Sequence, residues 1–298
     1  MKFATVLHGD EPVAGVVDSE LGLFWPFRTV RPDLPPSVQS DLAAAIPHLL
    51  SGAFACDPAQ AIALDTVKLG PPLKRTPHNI LCVGKNYRAH AREFAQSGFD
   101  ASGASNDVVP EFPIIFSKPS SSITGPDSVI PLVAGLDQAV DYEAELAVII
   151  GKGGRAISKD EAMSHVFGYT IVNDVTARDL QKKHKQWFLG KGIDGFCPMG
   201  PWIISADEAD YREMNVVCRI NGETRQVAST RDLIFDIPDL IATISLSMTL
   251  EPGDVIATGT PEGVGIGFTP PRFLKEGDVV ECEITGIGTL SNVVARIP

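Results

Sequence analysis

The sequence predicts a strand-dominated α+β fold. Short apolar segments bounded by Gly, Pro or Asp recur along the whole chain, whereas helical periodicity is convincing in only a few places. The composition supports a folded chain, because 44% of its 298 residues are hydrophobic and 21% are charged, close to the average for globular proteins. Gly (27) and Pro (23) are frequent enough to supply many irregular connections between strands.

The first part of the chain predicts a small β-containing unit, which we assign to residues 1–72. Its opening, "KFATVLHGDEPVAGVVDSELGLF", has short apolar runs separated by Gly-Asp and Asp-Ser turn signals, as in an antiparallel sheet. One or two helices are expected around "VQSDLAAAIPHLL" and "PAQAIAL". The proline-rich stretch "LGPPLKRTPHNI" is the expected linker, since proline resists the interior of helices and sheets.

The rest of the chain, residues 73–298, predicts a larger domain made mostly of strands. Apolar strand-like segments include "PIIFSKP", "ELAVIIG", "VFGYTIVNDV", "PWIIS", "NVVCRING" and "DVVECEITGIGTLSNVVARI". Helices are predicted at "SKDEAMSHV", "TARDLQKKHKQW" and "IPDLIATISLSMTL".

Charge and apolar patterning exclude several classes of partner. The net charge is -12 and no long Lys/Arg tract is present, which argues against nucleic acid or anionic lipid as a partner. No apolar stretch approaches the roughly 18 residues of a membrane span, and a strand-like segment follows Met1, so we expect a cytosolic protein. The five cysteines contain no CxxC pair, which predicts buried free thiols.

Two glutamates stand at the head of the apolar run "VDYEAELAVIIG". In a strand, Glu143 and Glu145 project from the same face, and their mutual repulsion requires a nearby cation unless both are solvated at an exposed strand end. Asp174 ends a second apolar strand, although it could instead cap the helix that begins "TARDL". Three acids at the ends of apolar strands favour an oxygen-only site for Mg²⁺ or Mn²⁺ over a zinc site.

Five motifs in order give the chain a family resemblance: "ILCVGKNYRAHAREF", "DYEAELAVIIG", "NDVTARDLQ", "FLGKG" and "GDVIATGTPEGVG". They resemble the fumarylacetoacetate hydrolase family over residues 78 to 298, in its acylpyruvase and 2-hydroxyhepta-2,4-diene-1,7-dioate isomerase-like branch. The resemblance implies a mixed β-roll catalytic domain, usually homodimeric. It also implies that Mg²⁺ or Mn²⁺ is held by Glu143, Glu145 and Asp174.

The same resemblance implies a catalytic dyad in "HARE". Glu93 follows His90 by three residues, about one helical turn, so its carboxylate would fix the imidazole tautomer and make the other ring nitrogen a better base. An ordinary ion pair on a helix surface is the alternative. The segment "SGFDASGASNDVVPEF", residues 97–112, follows the dyad and is predicted to be a mobile lid.

Further roles come from the resemblance alone. Lys191 matches a lysine that stabilises negative charge on the substrate, and Arg178, Gln181 and Thr260 match substrate-binding residues. The alternatives are that Lys191 and Arg178 are ion-pair partners of the acids and that the Gly-rich loop merely turns the chain. Gly192 and Gly195 depart from the family pattern, which often has Ser and Thr there, so the pocket is expected to differ.

The predicted function is hydrolysis of a carbon–carbon bond in an acylpyruvate or other 2,4-dioxo acid, with a divalent metal as cofactor. The substrate is thus a small anionic oxo or dioxo acid. Decarboxylation of oxaloacetate or isomerisation of a 2-hydroxydienoate by the same site is the first alternative. A metal-binding or small-ligand-binding module without turnover is the second.

Overall fold

The computed structural model describes residues 1–8, 11–99, 109–136 and 138–297 of the chain. Nineteen strands lie within these ranges. They are Lys2–His8 (β1), Glu11–Asp18 (β2), Leu23–Pro26 (β3), Ile62–Ala63 (β4), Lys68–Leu69 (β5), Ile80–Gly84 (β6), Ile114–Lys118 (β7), Ile123–Thr124 (β8), Val129–Val133 (β9), Val140–Asp141 (β10), Ala144–Ile150 (β11), Val166–Asn173 (β12), Thr176–Ala177 (β13), Cys197–Ser205 (β14), Asn215–Ile220 (β15), Glu223–Ser229 (β16), Val255–Ala257 (β17), Val279–Ile284 (β18) and Gly288–Ile297 (β19).

The α-helices of the same ranges are short. They are Phe27–Val30 (α1), Leu42–Leu49 (α2), Arg88–Gln96 (α3), Lys159–Ala162 (α4), Arg178–His184 (α5), Phe188–Lys191 (α6) and Ile237–Ser247 (α7). The predicted helices are therefore present, except in "PAQAIAL". There, Pro58–Gln60 form one 3-10 turn and the chain then enters β4, because its apolar residues pair with β3 instead of continuing a helix.

The strands form two main sheets, as the predicted α+β class requires. The larger sheet has the order β4-β3-β2-β1-β14-β12-β11-β17-β6-β7, with β5 paired to β1 and β8 paired to β14. The smaller sheet has the order β16-β15-β18-β19-β9, and β10 and β13 form a separate pair. Strand β11 lies inside the larger sheet, between β12 and β17.

Strand β11 is buried on both faces, which explains its continuous apolar sequence. Its residues Leu146 and Val148 belong to a core cluster that includes the inner side chains of the smaller sheet. Its residues Ala147 and Ile149 belong to a second cluster that includes side chains of α1 and α2. Because successive strand residues alternate between faces, a strand enclosed on both sides needs apolar residues on both faces, which residues 146–150 supply, with Glu145 as the polar exception.

The N-terminal strands are joined to the rest of the larger sheet. Lys2 and Phe3 of β1 pair with Ile204 and Ile203 of β14. The division into residues 1–72 and 73–298 stays a prediction. Residues 100–108 of the predicted lid lie outside the described residues, so the lid also stays a prediction.

Two exclusions made from the sequence concern membranes and disulfides. Across the described ranges, every helix is too short or too polar to cross a membrane. Cys82, Cys197, Cys218 and Cys282 are buried free thiols, as predicted, and Cys56 is a partly exposed one.

Candidate active site

The three predicted carboxylates meet where β11 and β12 run side by side. Ala144 pairs with Asn173 in this antiparallel ladder, so the residues just outside the pair, Glu143 and Asp174, are neighbours. The Asp174 N–H donates to the Glu143 carbonyl at 2.8 Å. One carboxylate oxygen from each of Glu143, Glu145 and Asp174 lies within 4.8 Å of the others. We call these three residues the carboxylate trio.

The carboxylate trio is buried, which removes both simpler interpretations of its sequence. Glu143, Glu145 and Asp174 are 5%, 1% and 0% exposed, so they are not solvated acids at a strand end. Asp174 does not cap α5 either, since that helix begins at Arg178 with Ala177 at its N-cap position.

Two lysines bind the carboxylate trio from the protein side. The Lys191 ammonium lies between Glu143 Oε2 at 2.7 Å and Asp174 Oδ2 at 2.6 Å. The Lys118 ammonium lies 2.7 Å from Asp174 Oδ1. Burial lowers the pKa of Lys191, but the Asp174 and Glu143 carboxylates outweigh burial and hold this pKa above its ordinary value. Lys191 therefore carries a positive charge in the site.

Arg178 connects the carboxylate trio to a fourth buried acid, Asp141. Its guanidinium lies 2.7 Å from Glu143 Oε1 and donates to Asp141 Oδ2 at 2.9 Å and to Gln181 Oε1 at 3.2 Å. Asp141 also accepts backbone N–H bonds from Gly265 and Tyr142. Burial by itself raises the pKa of Glu143, but Lys191 and Arg178 outweigh it and bring that pKa down to about 2.

The negative charge of Glu145 is compensated less fully than the charges of Glu143 and Asp174. Its Oε2 accepts the backbone N–H of Gly259 at 2.8 Å. Burial and the charges of Asp174 and Glu143 nevertheless hold the pKa of Glu145 well above its ordinary value, and Lys191 opposes them only in part. Three converging carboxylates, one of them short of positive charge, fit a small divalent cation with oxygen ligands such as Mg²⁺ or Mn²⁺.

The predicted dyad is formed within helix α3. His90 Nδ1 lies 3.0 Å from Glu93 Oε2, and Glu93 Oε1 accepts the backbone N–H of Gly263 at 2.9 Å. The surface ion-pair alternative does not hold, since His90 is buried and the Glu93 side chain is only 15% exposed. A carboxylate that accepts a hydrogen bond from Nδ1–H leaves Nε2 of His90 as the basic nitrogen.

The dyad histidine and two members of the carboxylate trio, Glu143 and Glu145, line one small cavity. Its polar walls are His90, Glu143, Glu145, Arg178, Gln181, Lys191 and Thr260, and its other walls are Val83, Gly84, Lys85, Phe94, Phe116 and Trp187. The structure thus brings the predicted catalytic, substrate-binding and metal-binding residues together. Glu93 and Asp174 lie behind this wall, in contact with His90 and Lys191 respectively.

Thr260 lines the cavity, but its hydroxyl is already used by the protein. It donates to the Ala144 carbonyl at 3.0 Å and accepts from Gln226 Nε2 at 2.8 Å. One acceptor site of the hydroxyl remains, which does not suit a carboxylate. A contact between Thr260 and substrate stays a prediction.

The two glycine departures are explained by packing outside the cavity. A Cβ on Gly192 would lie 2.8 Å from the Phe188 carbonyl oxygen and 3.0 Å from Pro119 Cδ. Gly195 has φ +80°, a conformation that a β-branched threonine avoids. Neither glycine is among the residues that line the cavity.

Three supporting residues were not predicted from the sequence: Lys118, Asp141 and Gln226. Each is fully buried and polar, and each holds a predicted site residue or its neighbour in place. Two of them left a signal in the sequence: Lys118 ends the apolar segment "PIIFSK", and Asp141 stands two residues before Glu143.

Comparisons with known proteins show which family and which relatives the chain is similar to. Residues 79–295 match the family model described as fumarylacetoacetate (FAA) hydrolase C-terminal. The chain is 51% identical over 233 residues to oxaloacetate tautomerase YisK of Bacillus subtilis, covering 78% of this chain and 74% of that protein.

Among the similar solved structures, two examples match this chain over its full length and over their own full length. The fumarylacetoacetate hydrolase from psychrophilic Exiguobacterium antarcticum has a TM-score of 0.83 and 41% identity. A maleylpyruvate hydrolase from Sphingobium sp. SYK-6, in complex with manganese (II) ion and pyruvate, has a TM-score of 0.75 and 30% identity.

Proposed function

Because this chain belongs to the fumarylacetoacetate hydrolase family, we propose that it is a divalent-metal-dependent enzyme that interconverts the keto and enol forms of oxaloacetate. One observation carries the proposal: a carboxylate-oriented imidazole lines the same small cavity as Glu143 and Glu145, whose carboxylates converge with that of Asp174. The 51% identity to an oxaloacetate tautomerase supports this choice of substrate. For this reason we propose tautomerisation instead of the hydrolysis predicted from the sequence.

The carboxylate trio would hold the metal. A bound Mg²⁺ or Mn²⁺ would polarise the substrate carbonyl and stabilise negative charge on its oxygen. Lys191 and Arg178 keep Glu143 ionised, and Lys118 and Lys191 compensate Asp174, so these ligands are ready for a cation at neutral pH. Both Mg²⁺ and Mn²⁺ accept a donor set made only of oxygen atoms.

His90 is the proposed base. Its Nε2 takes a proton from C3 of the keto acid, the C3–H electrons form the C2–C3 double bond, and the electrons of the C2=O π bond move onto the oxygen. That oxygen takes a proton from water to complete the enol, and His90 releases its own proton to water. The reverse step returns the proton from Nε2 to C3. Glu93, fixed by the Gly263 N–H, holds the imidazole in one tautomer and stabilises the charge it acquires.

The remaining polar groups either position the substrate and other side chains or compensate charge in the cavity. Lys191 adds a buried positive charge to the cavity in which negative charge develops on the substrate. Gln181 receives a bond from Arg178 through its oxygen, which leaves its NH₂ group to donate to substrate. Arg178 acts through Glu143 and Gln181 as a positioning residue.

A second candidate is hydrolysis of an acylpyruvate. Here His90 would take a proton from water, and the hydroxide oxygen would bond to the distal carbonyl carbon. Cleavage of the C–C bond would release the acid and leave the electron pair on a pyruvate enolate, which takes the proton from His90 to become pyruvate. The likeness to the maleylpyruvate hydrolase and fumarylacetoacetate hydrolase structures supports this reaction. Loss of CO₂ from oxaloacetate, which also gives pyruvate, is a third outcome for the same residues.

Proton NMR in D₂O with Mg²⁺ separates the three reactions. A tautomerase exchanges the C3 protons of oxaloacetate for deuterium faster than the spontaneous rate, without forming pyruvate. Pyruvate from oxaloacetate would indicate decarboxylation, and acetate with pyruvate from acetylpyruvate would indicate hydrolysis. Chelation should stop whichever reaction occurs. Metal-loaded protein that leaves both acids unchanged would refute the enzyme proposal and favour a binding module.

Two further expectations concern the state of the protein in the cell. We propose a homodimer, which light scattering after size-exclusion chromatography tests directly. We also propose a cytosolic location, in keeping with the net charge of -12. Fractionation of cells that produce the protein would test the location.

A further inference from the structure

One loop holds a residue from each half of the candidate active site. Residues 259–263, which follow β17 and which we call the bridging loop, have the sequence GTPEG. At one end, the Gly259 N–H donates to Glu145 of the carboxylate trio at 2.8 Å. At the other end, the Gly263 N–H donates to Glu93 of the dyad at 2.9 Å. The bridging loop therefore connects the predicted metal site to the predicted base.

The bridging loop is confined at both ends. Gly259 has φ +103° and Gly263 has φ +97°, in the region that favours glycine. A Cβ on Gly259 would lie 2.8 Å from Cβ of Asn86, and a Cβ on Gly263 would lie 1.9 Å from the carbonyl oxygen of Arg225 in β16. The loop backbone thus packs directly against the turn after β6 and against β16. Each glycine can shift only if the neighbour that it touches shifts as well.

Gln226 of β16 anchors the centre of the bridging loop. Its side chain is fully buried, and Nε2 donates to the Thr260 hydroxyl and to the Pro261 carbonyl, each at 2.8 Å. Both hydrogens of the amide are thereby used. A buried polar group that loses its partner is costly, so these two bonds hold the loop against the smaller sheet.

The oxygen of the same amide binds the strand that carries the metal ligands. Gln226 Oε1 accepts the Ala144 N–H at 3.1 Å, and Ala144 stands between Glu143 and Glu145 in the chain. The Ala144 carbonyl in turn accepts the Thr260 hydroxyl at 3.0 Å. Gln226, Thr260 and Ala144 thus form a closed ring of hydrogen bonds that joins the smaller sheet, the bridging loop and β11.

We propose that Gln226 is a positioning residue that fixes the metal ligand Glu145 and the dyad residue Glu93 relative to each other, through the bridging loop. The proposal rests on the proposed function, in which Glu145 binds the metal and His90 is the base. Gln226 is not among the residues that line the cavity, so it acts through its neighbours. Proton transfer requires the base to be held accurately relative to the metal-bound acid, and this ring of hydrogen bonds supplies that accuracy.

Two measurements on Q226M test the proposal without requiring turnover. Methionine is close to glutamine in size and removes all three hydrogen bonds. Calorimetry should show Mn²⁺ binding weakened roughly 10- to 100-fold, the usual cost of losing a group that orients metal ligands. In ¹⁵N NMR of histidine-labelled protein, with H90A to identify the signals, the fraction of His90 in the Nδ1–H tautomer should fall, because Glu93 is no longer held in place.

A double-mutant cycle with E93A separates the two ends of the bridging loop. E93A should by itself lower the fraction of the Nδ1–H tautomer of His90. Adding Q226M to E93A should then leave the tautomer unchanged and still weaken Mn²⁺ binding by the same factor as in the unaltered background. If Q226M lowers the Nδ1–H fraction further in E93A, its effect does not pass through Glu93 and the proposal is overturned.

The matched control is N292L, which removes another buried amide side chain of the smaller sheet. Asn292 of β19 is 2% exposed and donates to the carbonyls of Gly125 and Ser128, neither of which lines the cavity. N292L should change neither Mn²⁺ affinity nor the His90 tautomer. Thermal unfolding confirms that each variant is folded. If Q226M is not, Q226E replaces it, since its carboxyl group lacks the NH₂ group that binds the bridging loop.

Two results would overturn the role of Gln226. In the first, its replacement leaves Mn²⁺ affinity or the His90 tautomer unchanged. In the second, N292L alters both as strongly, which would make the effect one of general destabilisation.

Failure of this proposal is distinct from failure of the proposed function. If both measurements change as expected but the unaltered protein does not exchange the C3 protons of oxaloacetate, the tautomerase assignment fails and the positioning role stands. If the protein exchanges those protons and Q226M changes neither measurement, the tautomerase assignment stands. In that case Gln226 does not position the site.

Discussion

Replacing Glu145 by Gln should change the stability of the protein in opposite directions with and without metal. Without metal, Glu145 is a buried carboxylate whose charge is opposed by two neighbours and compensated only in part. Gln is nearly isosteric, and its amide oxygen can still accept the Gly259 N–H. The substitution thus removes repulsion at little cost in packing.

The size of the effect follows from the geometry of the carboxylate trio. Two unit charges 4.8 Å apart repel by about 3.5 kcal/mol at an effective dielectric constant of about 20, and Glu145 faces two such charges. Protonation of Glu145 and the attraction of Lys191 relieve most of this repulsion already. We expect the metal-free E145Q variant to be more stable by about 1 to 2 kcal/mol, or roughly 2 to 8 °C in Tm.

With metal bound, the unaltered protein should be more stable than E145Q. A cation at 100 times its Kd stabilises the unaltered protein by about 2.7 kcal/mol, and E145Q loses most of that gain because it has lost a charged ligand. Thermal unfolding after chelation and again with excess Mn²⁺ measures both states. E11Q, which neutralises an exposed glutamate of β2, should leave the metal-dependent gain unchanged.

Either of two results would refute this reasoning. A metal-free E145Q that is less stable than the unaltered protein would show that the Glu145 charge is compensated within the fold. An equal gain from Mn²⁺ in both proteins would show that Glu145 does not bind the metal.

Four other predictions follow from the site. H90A should reduce turnover by about 10² to 10⁴ while metal affinity measured by calorimetry stays nearly unchanged; unchanged turnover would exclude His90 as the base. D141N should destabilise the protein by roughly 3 kcal/mol in urea unfolding, because Arg178 loses a buried partner; a loss under 1 kcal/mol would contradict that role. G84A should displace the ring of Trp187 and shift its fluorescence, with a loss of about 1 to 3 kcal/mol; an unshifted spectrum would count against the packing. Ca²⁺ should compete poorly with Mn²⁺ in calorimetry, since protein groups already bind both oxygens of Glu143 and of Asp174 and one oxygen of Glu145, whereas Ca²⁺ favours bidentate carboxylates; equal affinities would contradict this.

The fold was predictable where local pattern and tertiary environment agree. The apolar runs that became β11 and β12 have no other stable place than the interior of a sheet, so their strand assignment was secure. In "PAQAIAL", the same apolar residues are compatible with a helix or a strand over so short a length. The choice was made by pairing with β3, which is distant in sequence.

The residues of the site likewise divide into those that the sequence identifies and those that only the folded chain identifies. The acids Glu143, Glu145 and Asp174 stand out because each interrupts or ends an apolar strand. Lys118 does not, because a lysine at a strand end is usually solvated, and only the folded chain shows that Asp174 lies against it. Burial of a cation depends on its partner, and here the partner is far away in the sequence.

The burial of β11 on both faces ties the survival of the site to that of the whole molecule. A ligand loop on a surface opens by local unfolding at low energy, so it can release its metal while the core persists. Glu145 lies on a strand shared by both core clusters, and opening that strand exposes both of them at once. Amide hydrogens along β11 should exchange only through global unfolding, and the metal site and the fold are then lost in one event.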